Sequence, residues 1–195
     1  MKPISPLPAC SILLLCGGEG RRMGGRDKGL LPWQGLPMVE HLQRLVRPLT
    51  ADLIISCNRN FTRYGALADQ LVADGTQDYA GPLAGIRMGL RVMREPWLLV
   101  LPCDLPRLDL ALLQQMRQCA AQEQRPWLLQ QGEQVVPLPC ILPRSSVSAL
   151  EQAWAQGERS PRRWLQQQGA ASLHCAVDDP RLYNFNTPDY LSIPA

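Results

Sequence analysis

The chain has 195 residues, is 46% hydrophobic and 19% charged, and carries a formal net charge of +3. That is one domain's length, with enough apolar side chain for a sizeable core, and the charge excess is too small to argue for a nucleic-acid partner. No apolar run approaches the ~20 residues of a membrane-spanning helix, and no small-residue cleavage site follows the short apolar stretch near the start, so neither a membrane span nor a signal peptide is expected.

In chain order, "CSILLLC" (10–16) is a short all-apolar run ending at glycines, which suits a strand buried on both faces. Residues 36–46 carry apolar side chains at helical spacing, and Pro48 stops them. "DLIISCN" (52–58) reads as a second buried strand, and 67–74 as a short helix running into a short strand. Residues 82–93 read as a helix with a small-residue start, and "WLLVLPCD" (97–104) as a third buried strand ending on an acid. Residues 107–124 are amphipathic, with Asp109 as N-cap. A hairpin through Gly132-Glu133 fits 127–142. Two short helices fit 145–157 and 160–169, the second with Ser160 as cap, Pro161 as first residue and Gly169 as stop. Strands are expected again at 173–177 and 182–187. Alternating strands and helices predict an α/β fold, a doubly wound and mostly parallel sheet flanked by helices, with no linker or repeat. Such sheets bind ligands at the carboxyl ends of their strands. Gly17-Gly18, residues 56–58 and Cys103-Asp104 are therefore expected to face one crevice.

The seven cysteines are scattered without C-x-x-C spacing, which reads as reduced, mostly buried thiols and points to the cytoplasm. His41 and His174 are far apart, and neither has a visible catalytic partner. Trp97, Trp127, Trp154 and Trp164 read as core or rim.

The segment "LCGGEGRRMGGRDKGLL" (15–31) carries the strongest chemical signal. Its lysine is not followed by Ser or Thr, so it is not a Walker A loop. Its third glycine falls one position late for the dinucleotide fingerprint, and no ribose-binding acid ends the second strand. A glycine-rich turn after a buried strand still lets backbone N–H groups converge on an anion. Arg21, Arg22, Arg26 and Lys28 add four cations. The chain has eighteen arginines and two lysines, and Lys28 is the one lysine in its body. An ammonium on a flexible stem follows a moving phosphoryl charge better than a planar guanidinium fork does. Asp104, after six largely apolar residues and between Pro102 and Pro106, is placed for a hard cation rather than for capping, since Asp109 already fits that role.

At these residues the chain resembles the bacterial molybdenum cofactor guanylyltransferases, within the wider nucleotidyltransferase superfamily. The likeness continues through "GPLAGIRMGL" (81–90), "PCDLP" (102–106), "GERSPRR" (157–163) and "NFNTPDYL" (184–191), with Cys16 where the family has alanine. The resemblance implies a Rossmann-like fold, one nucleotidyltransferase domain over 1–195 with a nucleotide-binding N-terminal half and an acceptor-binding C-terminal half, and transfer of GMP from GTP to molybdopterin with release of pyrophosphate. It implies that Leu15, Cys16 and Gly17 hold the guanosine, that Arg22 and Lys28 bind phosphates, and that Asp104 carries Mg²⁺; Arg22, Lys28 and Asp104 form the catalytic set. Asn58 and Asp74 are implied nucleotide contacts, and Asn184 and Asn186 lie toward the acceptor. The partners implied are GTP and molybdopterin, together with molybdenum-insertion and molybdoenzyme-maturation proteins, for a monomer with no nucleic acid and no membrane.

Two glycine-rich segments, 16–18 and 81–85, also frame a flat slot for a purine. Arg159, Arg162 and Arg163 read either as a solvated helix start or as a dock for an anionic tail. Rival readings are a cytidylyltransferase for the same cofactor, a sugar-phosphate nucleotidyltransferase, a non-catalytic molybdopterin carrier, and a GTPase switch, against which the absent Walker A loop argues.

Overall fold

The computed structural model describes residues 7–18, 25–73 and 81–185. Among the described residues, nine strands run β1 Cys10–Leu15, β2 Pro32–Trp33, β3 Leu36–Pro37, β4 Leu53–Ser56, β5 Gln70–Val72, β6 Trp97–Pro102, β7 Trp127–Gln131, β8 Gln134–Pro143 and β9 Ala171–Cys175. The α-helices of the described residues are α1 Met38–Val46, α2 Phe61–Gly65, α3 Pro82–Val92, α4 Leu110–Glu123, α5 Ser146–Ala155 and α6 Pro161–Gln167. Seven strands form one sheet in the order β5-β4-β1-β6-β8-β7-β9, and β2 and β3 make a separate two-stranded ribbon. Only β8 runs against the others, pairing antiparallel with β6 and β7.

The apolar runs are strands because both faces of the sheet are covered. On β1, Ile12 and Leu14 join the core beneath α1 and α4, which send in Val39, Leu42, Leu112 and Met116. Leu13 points the other way, into the core beneath α3, α5 and α6 with Leu83, Ile86, Leu150 and Trp164. Period-two alternation therefore puts an apolar side chain into each layer in turn, and each fully buried Leu or Ile contributes about 1.5–3 kcal/mol. Two glycines one turn apart set the closeness of α3. A Cβ at Gly85 would stand 2.7 Å from Leu15 Cδ2, and one at Gly89 would stand 2.6 Å from Leu13 Cδ2. The bare face of α3 thus presses directly on β1.

Several elements differ from the sequence expectation. The helix expected over 36–46 begins at Met38, because Leu36–Pro37 pair with Pro32–Trp33. The short helix expected from residue 67 lies earlier, at Phe61–Gly65, after Asn60 in the left-handed region at φ +57; residues 66–69 are a turn into β5. No strand forms over 182–185. Asp179 instead caps a 3₁₀ turn, Pro180–Leu182, with Pro180 fixing its first φ. Residues 186–187 lie outside the described residues. The Asp109 and Ser160 caps form as expected, accepting from Leu112 N and Arg163 N.

Candidate active site

From β1 the chain passes outward to β4 and β5, then crosses back to place β6 on the other side of β1. That reversal opens a crevice at the carboxyl ends of β1 and β6, the position where open α/β sheets bind ligands. A cavity of about 460 Å³ occupies it. Leu15, Cys16, Gly17 and Gly18 form one wall and Pro102, Cys103 and Asp104 another. Ser56 closes it from β4, Gly81, Pro82 and Gly85 from the start of α3, and Leu138 from β8. The three strand ends singled out in the sequence thus converge, as do the two glycine segments. Ala84, by contrast, is buried at 1% exposure and faces the core.

Lys28 Nζ reaches across this cavity to Asp104 Oδ2 at 2.7 Å, linking residues 76 positions apart. Both side chains are about one-fifth exposed, so the pair is partly desolvated but open to the cavity. The turn that presents Lys28 is anchored by its neighbour. Asp27, with a side chain only 7% exposed, accepts from Tyr64 Oη at 2.6 Å and Asn60 Nδ2 at 2.8 Å, and Arg59 lies 3.6 Å away. Burial first, and then nearby negative groups, push the Tyr64 hydroxyl far above its ordinary value, so it remains a neutral donor to this carboxylate. Sequence reading passed over Asp27, whose only signal is its place beside the lone lysine.

A second carboxylate sets Asp104 apart. Asp52, at the opposite end of the strands and 1% exposed, accepts from Ser11 Oγ, Gln70 Nε2 and Arg94 N, a fully satisfied structural acid. Asp104 leaves its Oδ1 buried without a hydrogen-bond partner among the described residues. A buried carboxylate oxygen left so is costly unless something else meets it. A hard divalent cation, which takes oxygen ligands, fits that atom. No cluster of three or more acidic, histidine or cysteine side chains suited to a metal exists among the described residues. An ion at Asp104 would therefore need oxygens from a bound phosphate and from water.

The other candidate residues fall as follows. Asn58 does not line the cavity; its Nδ2 sits 3.5 Å from the point where a Cβ on Gly17 would stand, and Ser56, 3% exposed, takes the wall. Asn184 is exposed, but the next residue ties its segment to the site, Phe185 N donating to Asp104 O at 3.0 Å. Arg22, Asp74 and Asn186 lie outside the described residues. His41 is turned away, its Nε2 2.7 Å from Trp33 O and its ring against the Trp33 ring; His174 is exposed on β9. Trp97, Trp127 and Trp164 are core residues. Arg87 and Arg159 each hold a guanidinium over the Trp154 ring, 5.0 and 3.8 Å from its centre, and Arg163 pairs with Glu158. Leu138 was missed, because nothing in an apolar hairpin marks the one residue that reaches the cavity.

A doubly wound sheet with a glycine-lined cavity and a lysine–aspartate pair at its switch point defines a nucleotide-handling α/β protein. Residues 12–173 match the family model described as MobA-like NTP transferase domain, and the chain belongs to that family. A protein of Pseudomonas aeruginosa (strain LESB58) named molybdenum cofactor guanylyltransferase is 59% identical over 191 residues, covering 97% of this chain and 96% of its own. Among solved structures, molybdopterin-guanine dinucleotide biosynthesis protein A from Archaeoglobus fulgidus superposes with a TM-score of 0.72 at 21% identity, over 93% of this chain and 94% of its own. The 2-C-methyl-D-erythritol 4-phosphate cytidylyltransferase of Thermus thermophilus gives 0.71 at 16% identity, over 92% and 94%. These two likenesses speak for the fold.

Proposed function

We propose that the chain transfers the guanylyl group of GTP to the terminal phosphate of molybdopterin, releasing pyrophosphate and forming the guanine dinucleotide form of the cofactor. The observation that carries the chemistry is the Lys28–Asp104 pair on the floor of the strand-end cavity. The choice of guanine and molybdopterin rests on the near full-length relatives that bear that name.

Both reactants are anions, so charge repulsion and positioning are the main obstacles. In the free protein Lys28 and Asp104 neutralise each other. A triphosphate entering past Gly17 and Gly18 gives the ammonium a better partner, and Lys28 turns to the phosphates while Asp104 is released for a cation. Asp104 is the residue that would hold Mg²⁺, whose role when bound is to screen phosphate charge. Arg22 adds a second cation for the phosphates. Main-chain groups of Leu15, Cys16 and Gly17 read the base and ribose, and Asn58 and Asp74 are assigned as further nucleotide contacts. The only titratable side chains lining the cavity among the described residues are Lys28, Asp104, Cys16 and Cys103. The acceptor phosphate therefore needs no protein base and acts as its own nucleophile. We assign acceptor binding to the C-terminal half of one domain, with Asn184 and Asn186 on the segment that Phe185 ties to Asp104. The seven free thiols suit a reducing cytoplasm, and we expect a monomer that meets molybdenum-insertion and maturation proteins there.

The test is a single reaction with molybdopterin, Mg²⁺ and equal GTP, CTP and ATP. Guanine dinucleotide and pyrophosphate are expected to dominate. A dominant cytidylyl product would reassign the base, equal use of GTP and ATP would remove the polar base contacts, and nucleotide binding without pyrophosphate release would leave a carrier rather than an enzyme.

A further inference from the structure

Three cysteines stand level at the carboxyl ends of three adjacent strands. The register pairs Leu15 with Ser56 on one side and with Pro102 on the other, so the next residues, Cys57, Cys16 and Cys103, form a row across β4, β1 and β6. All three side chains enter the same apolar layer. Two of them, Cys16 and Cys103, also line the nucleotide cavity, at 6% and 7% exposure, while Cys57 is 0% exposed and does not. Seen from Gly29, a Cβ there would lie 3.5 Å from Cys16 Sγ and 3.6 Å from Cys103 Cβ, so both flank one small space.

We propose that Cys16 and Cys103 are an oxidative modification site, a dithiol that closes to a disulfide on the cavity floor and switches the enzyme off. Neighbouring parallel strands run about 4.8 Å apart, inside the roughly 4.4–6.8 Å between Cα atoms that a disulfide spans. Both residues lie just past the last paired residues of β1 and β6. A peroxide is the oxidant. It converts one thiol to a sulfenic acid and leaves as water; the second sulfur then attacks the sulfenic sulfur, forming the S–S bond and expelling a second water. The cavity gives a small peroxide a path that a core thiol such as Cys57 lacks. The bond draws Cys103 toward β1, and Asp104, the next residue, moves with it. Oxidation thus acts on the carboxylate that pairs with Lys28. A cross-link in a thiol-reducing compartment is transient, as sensing disulfides are. The effect on turnover rests on the cavity being the nucleotide site; the cross-link itself does not.

The experiment treats the purified full chain with hydrogen peroxide and maps its peptides by mass spectrometry before and after dithiothreitol. A Cys16–Cys103 linked peptide is expected, with loss of most guanylyl transfer and recovery of both on reduction. Cys16→Ala and Cys57→Ala are run in parallel, each compared with its own reduced form. Cys57→Ala should lose activity on oxidation as the parent does, and Cys16→Ala should keep it. No cross-link, a Cys16–Cys57 cross-link, a cross-linked protein with undiminished turnover, or equal loss in Cys16→Ala would each overturn the proposal. Reduced protein that cross-links but never transfers a nucleotide would instead count against the functional reading.

Discussion

Replacing Gly29 with alanine tests how the lysine is held in place. Gly29 follows Lys28 in the 3₁₀ turn Lys28–Leu30 and is buried. A Cβ there would stand 2.6 Å from Tyr64 Oη, roughly 0.8 Å inside the 3.4 Å at which ordinary contact begins. The hydroxyl cannot simply move aside, because Tyr64 is fully buried and donates at 2.6 Å to Asp27 Oδ1. Overpacking of this kind costs about 1–3 kcal/mol, and a weakened hydrogen bond to a charged group costs up to about 1.5–3 kcal/mol more. A net loss of about 2–4 kcal/mol is expected, a large fraction of a domain's usual 5–15 kcal/mol or so. Turnover should fall too, since Asp27 and Lys28 share the turn. Tyr64→Phe supplies the control: it forfeits the bond but deletes the atom the new methyl meets. The double variant should therefore be more stable than the two single losses predict, by about 1 kcal/mol or more. Urea denaturation of the four proteins at matched slopes measures this. Gly29→Ala within about 0.5 kcal/mol of the parent, or strict additivity in the double variant, would refute the steric reasoning.

Lys28→Ala should lower guanylyl transfer by about 10²-fold or more, as loss of a positioned electrostatic donor does. Lys28→Arg should also be poor, and an arginine variant with full turnover in a steady-state assay would count against the point-charge role. Asp104→Asn should fold normally but need far more Mg²⁺; a magnesium titration overlaying the parent's would make the residue structural. Gly85→Ala places a methyl 2.7 Å from Leu15 Cδ2 and 2.8 Å from Ser56 Oγ at the cavity wall. Nucleotide affinity by direct titration should drop, and an unchanged Kd would mean the base lies elsewhere. Hydrogen bonds from Arg181 hold the Asp179 carboxyl below its ordinary value. Because the folded value is the depressed one, this stabilisation is present above the unfolded value near 3.9 and is lost as pH falls through the folded one. Asp179→Asn should flatten the acid limb of a stability–pH curve, and an identical limb would show that the pair contributes nothing there.

Much of this protein could be read from local pattern. The apolar runs ending at Leu15, Ser56 and Pro102 had to be strands covered on both sides, because a strand exposed on one side would alternate with polar residues. Lys28 and Asp104 stood out by chemistry, as a lone lysine among arginines and an acid ending an apolar run. Only the tertiary structure decided that these two side chains meet, since contact across 76 residues depends on β6 returning beside β1. It likewise decided that Asp52 is a satisfied structural acid while Asp104 Oδ1 is buried with no hydrogen-bond partner among the described residues. Helix placement near residue 61 and the absence of a strand over 182–185 were settled by a left-handed Asn60 and by the Asp179 cap, local geometries that side-chain periodicity does not encode. The row of Cys57, Cys16 and Cys103 arises the same way. Each cysteine sits on its own strand end by sequence, but being level with its neighbours is a matter of register, and register is fixed only when the strands pair.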